Sequence, residues 1–293
     1  MKILITGGNG FIAKSLFEQF RIKYDVLALN RNELDLLNTY GVYKYLSRNH
    51  FDVIIHTATY DAAPVFSKKD PLKVLENNLK MFFNIVRNEK SFKKFIYFGS
   101  GAEFDRKHWH PKMSEDYFDN YVPQDQYGFS KYLMTKYTLL SKNIYNLRLF
   151  GVFGKYDDWR YRFIPNACCH AVLNKPIVIK KNNIFDYMYI DDLVKIVDWF
   201  INNKPKEKVY NVCTGTAYEF RILAEKIVEI SGKKLDIIIK DSNNVQEYSG
   251  DNSKLIKELK NFKFTPIEKA ISSLYNWYVQ NKDIINEDEL SLF

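Results

Sequence analysis

Apolar and polar positions follow two periods along this chain, and the switches between them outline a fold. Short apolar runs recur at Lys2–Thr6, Asp25–Leu29, Asp52–Ala58, Lys94–Ser100 and Tyr145–Phe150. Near-continuous runs of this length suit strands covered on both faces. Between them lie helical stretches: one running to Phe20, Pro71–Lys90, and one carrying Tyr127 onward to about Asn143. Strand and helix in alternation predict a parallel sheet with helices on both faces, a doubly wound α/β architecture. Beyond Gly151 the texture changes. A loop and a helix come first, then strand and helix across Phe185–Leu193 with Asp191 as the expected N-cap. A strand follows in Lys208–Gly215, and a helical period runs through Leu223, Ile227 and Ile230. The last helix sets Ile267, Ile271, Leu274 and Tyr278 on one face, a core stripe, ahead of a short solvated acidic tail at Glu287, Asp288 and Glu289.

Length and composition narrow the class. The chain has 293 residues, 46% of them hydrophobic, enough for one large core or two joined ones. Its formal net charge is +8, but the lysines are scattered and form no basic block. That distribution points away from nucleic acid and suits a small anionic substrate such as a nucleoside diphosphate derivative. The cysteines are Cys168, Cys169 and Cys213, with no metal-ligand spacing, so a reduced, cytoplasmic protein without a metal site is expected. The apolar run at the N-terminus is too short for a signal sequence, and no stretch approaches a membrane span.

The candidate chemistry sits at the ends of the predicted strands. After the first strand comes GGNGFIA, and a glycine turn between strand and helix is the setting a dinucleotide needs. Gly7 permits the tight turn, Gly10 the close approach of a pyrophosphate, and Ala13 close helix packing. The helix opening at Phe11 and Ile12 turns its N-terminus to the phosphates. After the second strand stands Arg31, with no acid before Glu33. A basic residue here accommodates the extra phosphate of NADP, whereas an acid would hold the ribose of NAD, so NADPH is favoured over NAD. Asp35 and Leu36 are expected to wrap the adenine. The third strand would bring Thr57 and Ala58 beside the cofactor. His56, at its end, reads as a buried, hydrogen-bonded residue and not as a catalyst. Asn78, on the following helix, is expected to organise Lys131 through backbone or water and to stand among the cofactor-binding residues.

Tyr127 and Lys131 are one helical turn apart and share a face. A nearby ammonium favours a phenolate, so the pair can exchange a proton with a carbonyl or alcohol. Ser100, at the end of the fourth strand, would donate to the same oxygen as it gains charge. The stretch Gly101–Gln126 is expected to arch over the substrate. Within it, His108 and His110 lack the partners of a metal site.

Taken together, TGGNGFIA, DVIIHTA, FGSGAEF, YGFSK, NLRLFGVFG, YMYIDDL, YNVCTG and GDNSKLIKEL resemble the extended short-chain dehydrogenase/reductases, in that family's order and across almost the whole chain. These are NAD(P)-dependent nucleotide-sugar epimerases, dehydratases and reductases. The resemblance implies a Rossmann-type doubly wound parallel sheet with a smaller C-terminal α/β substrate-binding domain. Residues 1–155 and 184–214 would form the NAD(P)-binding domain, and residues 156–183 and 215–293 the nucleotide-sugar-binding domain. It also implies a homodimer built through two helices per subunit.

Within the family, VLALNRNELDLLN looks most like GDP-fucose synthase and the related 4-keto-sugar reductases. The departures matter. Dehydratases place an Asp-Glu pair directly after the catalytic hydroxyl, where this chain has Gly101 and Ala102. Glu103 is displaced by one position and on a strand would point the other way. The proton-transfer pair of GDP-fucose synthase would fall at Ala102 and Arg162, and neither residue can serve. Many relatives carry an arginine where this chain has Phe185. What remains is ketone reduction on a nucleoside-diphosphate 4-keto-6-deoxy sugar, in surface polysaccharide synthesis. The catalytic residues are Ser100, Tyr127 and Lys131, and Ser100, Gly101, Ala102, Arg162 and Asn166 are expected to meet the substrate. The alternative is a 4-epimerase holding NAD.

Overall fold

The computed structural model describes residues 1–62, 67–243 and 245–290. The first half runs β1 (Lys2–Thr6), α1 (Phe11–Phe20), β2 (Asp25–Leu29), α2 (Thr39–Arg48), β3 (Phe51–His56), α3 (Val74–Val86), β4 (Phe92–Ser100), α4 (Gln126–Leu140) and β5 (Ile144–Leu149). The second half adds β6 (Gly151–Phe153), α5 (Phe163–Val172), β7 (Ile177–Ile179), β8 (Ile184–Tyr189), α6 (Ile190–Asn202) and β9 (Val209–Val212). It ends with β10 (Ala217–Glu219), α7 (Phe220–Ser231), β11 (Ile237–Ile239), β12 (Glu247–Tyr248), α8 (Ser253–Leu259) and α9 (Ile267–Gln280).

The main sheet has six parallel strands in the order β2-β1-β3-β4-β5-β9. The apolar runs become strands because both of their faces are covered. On one side α1 and α6 pack Leu16, Phe20, Leu193 and Val197 against Ile3, Ile5 and Ile55. On the other, Val42, Leu46, Phe82, Ile85 and Met134 cover Leu4, Ile54, Phe95 and Tyr97. The chain reverses its winding between β1 and β3, and the register there pairs Thr6 with His56. A crevice at such a switch point, outside the carboxyl ends of the strands, is where this architecture binds ligands.

A second core joins α5, α7 and α9 with β7 and β11, and it buries Ile267, Ile271, Leu274 and Tyr278 as the helical stripe predicts. β8 pairs with β6, β10 and β12 in a small sheet apart from the main one. Residues 184–189, expected with the first domain, therefore lie in this second sheet, while α6 directly after them packs on the first.

Two smaller expectations change. The N-cap of α6 is Tyr189, and Asp191 lies in the first turn, where it accepts from Gln19 Nε2 at 3.0 Å. The acidic tail is also engaged, with Glu287 on Lys175 at 2.7 Å and Glu289 near Arg160 at 3.7 Å. The arch after Ser100 is a series of short 3-10 turns, tied to the second half by a bridge between Met113 and Gly250. Among the described residues no helix is long and apolar enough to cross a membrane.

Candidate active site

β4 ends at Ser100, beside Leu149 of β5, so the serine stands at the carboxyl edge of the sheet. α4 starts where it does because Asp125 caps it, accepting from Gly128 N at 2.8 Å. That start places Tyr127 and Lys131 in the opening turns, on the side facing β4. Lys131 Nζ donates to the Phe98 carbonyl at 2.8 Å and lies 5.7 Å from the centre of the Tyr127 ring. Burial pushes the Lys131 ammonium down to about 8, against the upward pull of Glu103 and Asp61. It remains a cation at neutral pH.

Tyr127 departs from expectation. Its pKa lies well above the ordinary phenol value because burial opposes the phenolate, reinforced by Tyr248 and Asp61. Arg162 and the Ser100 hydroxyl pull the other way. Before any ligand adds charge, Tyr127 is therefore a protonated donor, not a poised phenolate. Ser100 Oγ accepts from Ala102 N at 3.2 Å and shares a hydrogen bond of 3.3 Å with the hydroxyl of Tyr248. Tyr248 comes from β12 and donates to the Leu149 carbonyl at 3.3 Å, with its ring stacked 4.2 Å from that of Trp109. Three hydroxyls, those of Ser100, Tyr127 and Tyr248, thus converge at one end of the cleft.

Glu103 is excluded from this group, although not by strand geometry. It lies in a 3-10 turn at residues 101–104, is fully buried, and caps the backbone N–H of Ser100 at 3.0 Å. Its other oxygen binds Arg148 Nε and Thr135 Oγ1, both at 2.8 Å. The carboxylate serves the interior.

The turn after β1 fits a pyrophosphate. Gly7 has φ +71°, and a Cβ there would sit 2.9 Å from Ala58 Cα. Gly8, which the spacing argument passed over, would place a Cβ 2.8 Å from the Ala28 carbonyl. A Cβ on Gly10 would meet only the Gly7 carbonyl, at 3.2 Å, so the space in front of it stays open. Gly10 is the N-cap of α1 and offers no side-chain cap, so the first amides of the helix are left for an incoming anion. Phe11, Ile12 and Thr57 line the cleft, and Thr57 is held by donating to the Thr6 carbonyl at 2.7 Å. Arg31 is exposed, 3.7 Å from Asp35, and both border a cavity of about 540 Å³ with Lys44 and Arg48.

Several expected contacts go elsewhere. Leu36 is buried in the core and so does not wrap a ligand. Asn78 does not reach Lys131; it accepts from Tyr60 N at 2.8 Å and donates to Tyr60 O at 3.0 Å, pinning the loop after β3. Asn166 is buried and donates to the carbonyls of Trp159 and Arg160 at 3.0 and 3.4 Å, which removes it from the substrate surface. Ala102 is buried, and Gly101 faces Tyr248, where a Cβ would come within 2.6 Å of the ring. His56 meets its reading: buried, 2.8 Å from Thr6 Oγ1, its pKa lowered to about 3 by burial and by Lys131.

The main cleft has a volume of about 940 Å³ and takes its walls from both halves of the chain, including Ser100, Tyr127, Arg162, Phe185, Tyr187 and Tyr248. Arg162, the N-cap residue of α5, packs 4.7 Å from the ring of Tyr161 and acts on Tyr127 by charge. Sequence reasoning missed Tyr248 and Trp109, since a two-residue strand carries no periodic signal and their partners lie far along the chain.

Residues 3–213 match the NAD dependent epimerase/dehydratase family, and the chain belongs to it. GDP-6-deoxy-D-talose 4-dehydrogenase of Aggregatibacter actinomycetemcomitans is 26% identical over 294 residues, covering 94% of this chain and 97% of that protein. dTDP-4-dehydro-6-deoxyglucose reductase of Escherichia coli is 28% identical over 274 residues, covering 82% and 84% respectively. Among solved structures, UDP-glucose 4-epimerase of Thermotoga maritima with UDP-glucose superposes with a TM-score of 0.81 at 20% identity, covering 97% of this chain and 100% of that one. The GDP-mannoheptose C4 reductase of Campylobacter jejuni with NADP bound also gives 0.81 at 20% identity, covering 94% and 98%.

Proposed function

We propose that this member of the epimerase/dehydratase family reduces the 4-keto group of a nucleoside-diphosphate 6-deoxy sugar with NADPH, in the synthesis of a surface polysaccharide. The observation that carries the reading is the convergence of the Ser100 and Tyr127 hydroxyls over a buried ammonium, beside an open phosphate cradle. When bound, the reduced dinucleotide supplies a hydride to the carbonyl carbon. Gly7, Gly8 and Gly10, with the amides that open α1, would hold its pyrophosphate, and Arg31 its extra phosphate.

The chain's own residues handle the oxygen. As charge develops there, Ser100 donates a hydrogen bond and Tyr127 delivers its proton. A raised phenol pKa keeps that proton in place until the oxygen demands it. Lys131, fixed by the Phe98 carbonyl, then offsets the negative charge left on Tyr127. Glu103, locked into the interior, leaves no acid beside Ser100 for removing water, which favours reduction over dehydration. Arg162 faces the cleft as a site for the substrate's negative charge. The names of relatives that act on the 4-position of GDP and dTDP sugars support this substrate class. A homodimer through α3 and α4 is part of the reading, supported by Phe83 and Tyr137, which lie side by side and partly exposed on those helices.

A second reading, a 4-epimerase that retains NAD, draws on the pairing of Arg31 with Asp35, whose carboxylate could hold a ribose hydroxyl. Denaturing the purified protein and identifying any released dinucleotide separates the two. Protein that arrives empty and then oxidises added NADPH with a nucleotide 4-keto sugar supports the reductase. Protein that arrives loaded with NAD and oxidises no NADPH overturns it.

A further inference from the structure

Asp157 lies in the loop before α5, is 8% exposed, and lines the main cleft. Its Oδ1 accepts from Asp158 N at 2.9 Å. Its Oδ2 is buried and has no hydrogen-bond partner, one of two such side-chain atoms among the described residues; the other is the Tyr278 hydroxyl in the second core. A buried carboxylate oxygen left unpaired is costly, and native proteins keep one where something else completes it.

The expected internal partner does not complete it. Arg162 is close enough to act on Asp157 by charge, yet among the described residues its guanidinium makes no ion pair within 4.0 Å and no hydrogen bond. Both residues border the same cavity as Ser100 and Tyr127. An acceptor without a donor beside a guanidinium, in one cleft, describes a ligand that carries a hydroxyl next to negative charge. Asp61, Tyr161 and Tyr187 also act on Arg162 by charge, and Asp158 on Asp157. Burial raises the Asp157 carboxyl to about 7, with Arg162 pulling it down, so near neutral pH it can still accept a hydrogen bond.

We infer that Asp157 is a substrate-recognition residue: its free Oδ2 accepts a hydrogen bond from a hydroxyl of the bound sugar, while Arg162 takes the neighbouring phosphate. The inference rests on the reading of the cleft as a nucleotide-sugar site and assigns the sugar's hydroxyl contact to a residue outside the Ser100, Tyr127 and Lys131 group. A hydrogen bond to a charged acceptor corresponds to about a tenfold to hundredfold change in affinity.

The test is calorimetric binding of GDP-fucose, UDP-glucose and dTDP-rhamnose, each beside its free nucleoside diphosphate, to wild-type protein, Asp157→Asn and Asp157→Ala, with NADPH binding as a check on the fold. Asp157→Asn keeps the volume and a partner for Asp158 N but turns an amide donor into the cleft, so it remains informative if the alanine variant fails to fold. The expected result is at least a tenfold loss for the nucleotide sugar that binds, with unchanged affinity for its free nucleoside diphosphate and for NADPH. Equal losses for sugar-bearing and sugar-free ligands would make Asp157 a structural residue and overturn the assignment. Unchanged affinity for every ligand would leave Oδ2 to water and overturn it too. If wild-type protein binds NADPH but none of the nucleotide sugars, the reading of the cleft falls, and this inference with it.

Discussion

On the core side of Ser100, Glu103 and Arg148 meet with Thr135, Asn146 and Asn211 in a network of hydrogen bonds inside the protein. Arg148 Nε binds Glu103 and Nη1 binds Asn211 Oδ1 at 3.1 Å, Asn146 Oδ1 accepts from Gly99 N at 2.9 Å, and Asn211 Nδ2 reaches the Met113 carbonyl at 2.8 Å. On the cleft side, a few residues away, Tyr127, Arg162 and Asp157 are equally polar but only partly satisfied. The first cluster is closed, and it fixes the backbone around Gly99 and Ser100. The second is open, and its unmet demands are those a substrate can meet. Both regions place an arginine beside a carboxylate. What separates structure from chemistry is where the remaining hydrogen bonds point.

The comparison can be broken at either side. The largest effect is expected for Tyr127→Phe, which removes the proton donor and should cut kcat/KM by about a hundredfold to ten-thousandfold, with no drop in melting temperature. A lowered melting temperature with activity retained would place Tyr127 among the structural groups. Next comes Glu103→Ala, which strands Arg148 in the interior and should cost about 3 to 5 kcal/mol in urea unfolding. If that variant keeps its stability and loses only turnover, the closed network belongs to the active site after all.

The third effect concerns pH. Burial lowers Lys131 to about 8 in the folded protein. Its ammonium is present at lower pH, so the rate should fall as pH rises through about 8, approaching tenfold per pH unit. Lys131→Arg, which stays charged, should move that limb upward. The stability sign runs opposite to the rate. Between about 8 and the ordinary lysine value the unfolded chain holds the proton that the folded chain has lost, so this group's contribution to stability rises with pH. A pH profile flat to high pH would remove Lys131 from the proton-transfer step. The smallest effect is at the rim, where Arg31→Ala should weaken NADPH binding by about tenfold and leave NADH binding unchanged. Equal weakening of both would make Arg31 a general surface charge.

Much of this was legible in the residues. Strands covered on both faces announce themselves as apolar runs, and Gly7, Gly10, Ser100, Tyr127 and Lys131 carry signals that are local in sequence. The less legible parts depend on long-range pairing. Tyr248 reaches Ser100 across 148 positions from a two-residue strand. Asn78, Asn166 and Leu36 looked available because a residue type does not say which way its hydrogen bonds or its packing will turn. Asp157 is marked only by what its Oδ2 lacks, and that cannot be seen before the loop is folded.

The most direct test of the account is the initial rate of NADPH oxidation by wild-type protein and Tyr127→Phe, side by side, with a panel of GDP-, UDP- and dTDP-linked 4-keto-6-deoxy sugars. The account predicts turnover by the wild type with at least one member of the panel and a loss of at least a hundredfold in the variant. No turnover by folded wild-type protein across the panel, or equal rates for the two proteins, would contradict it.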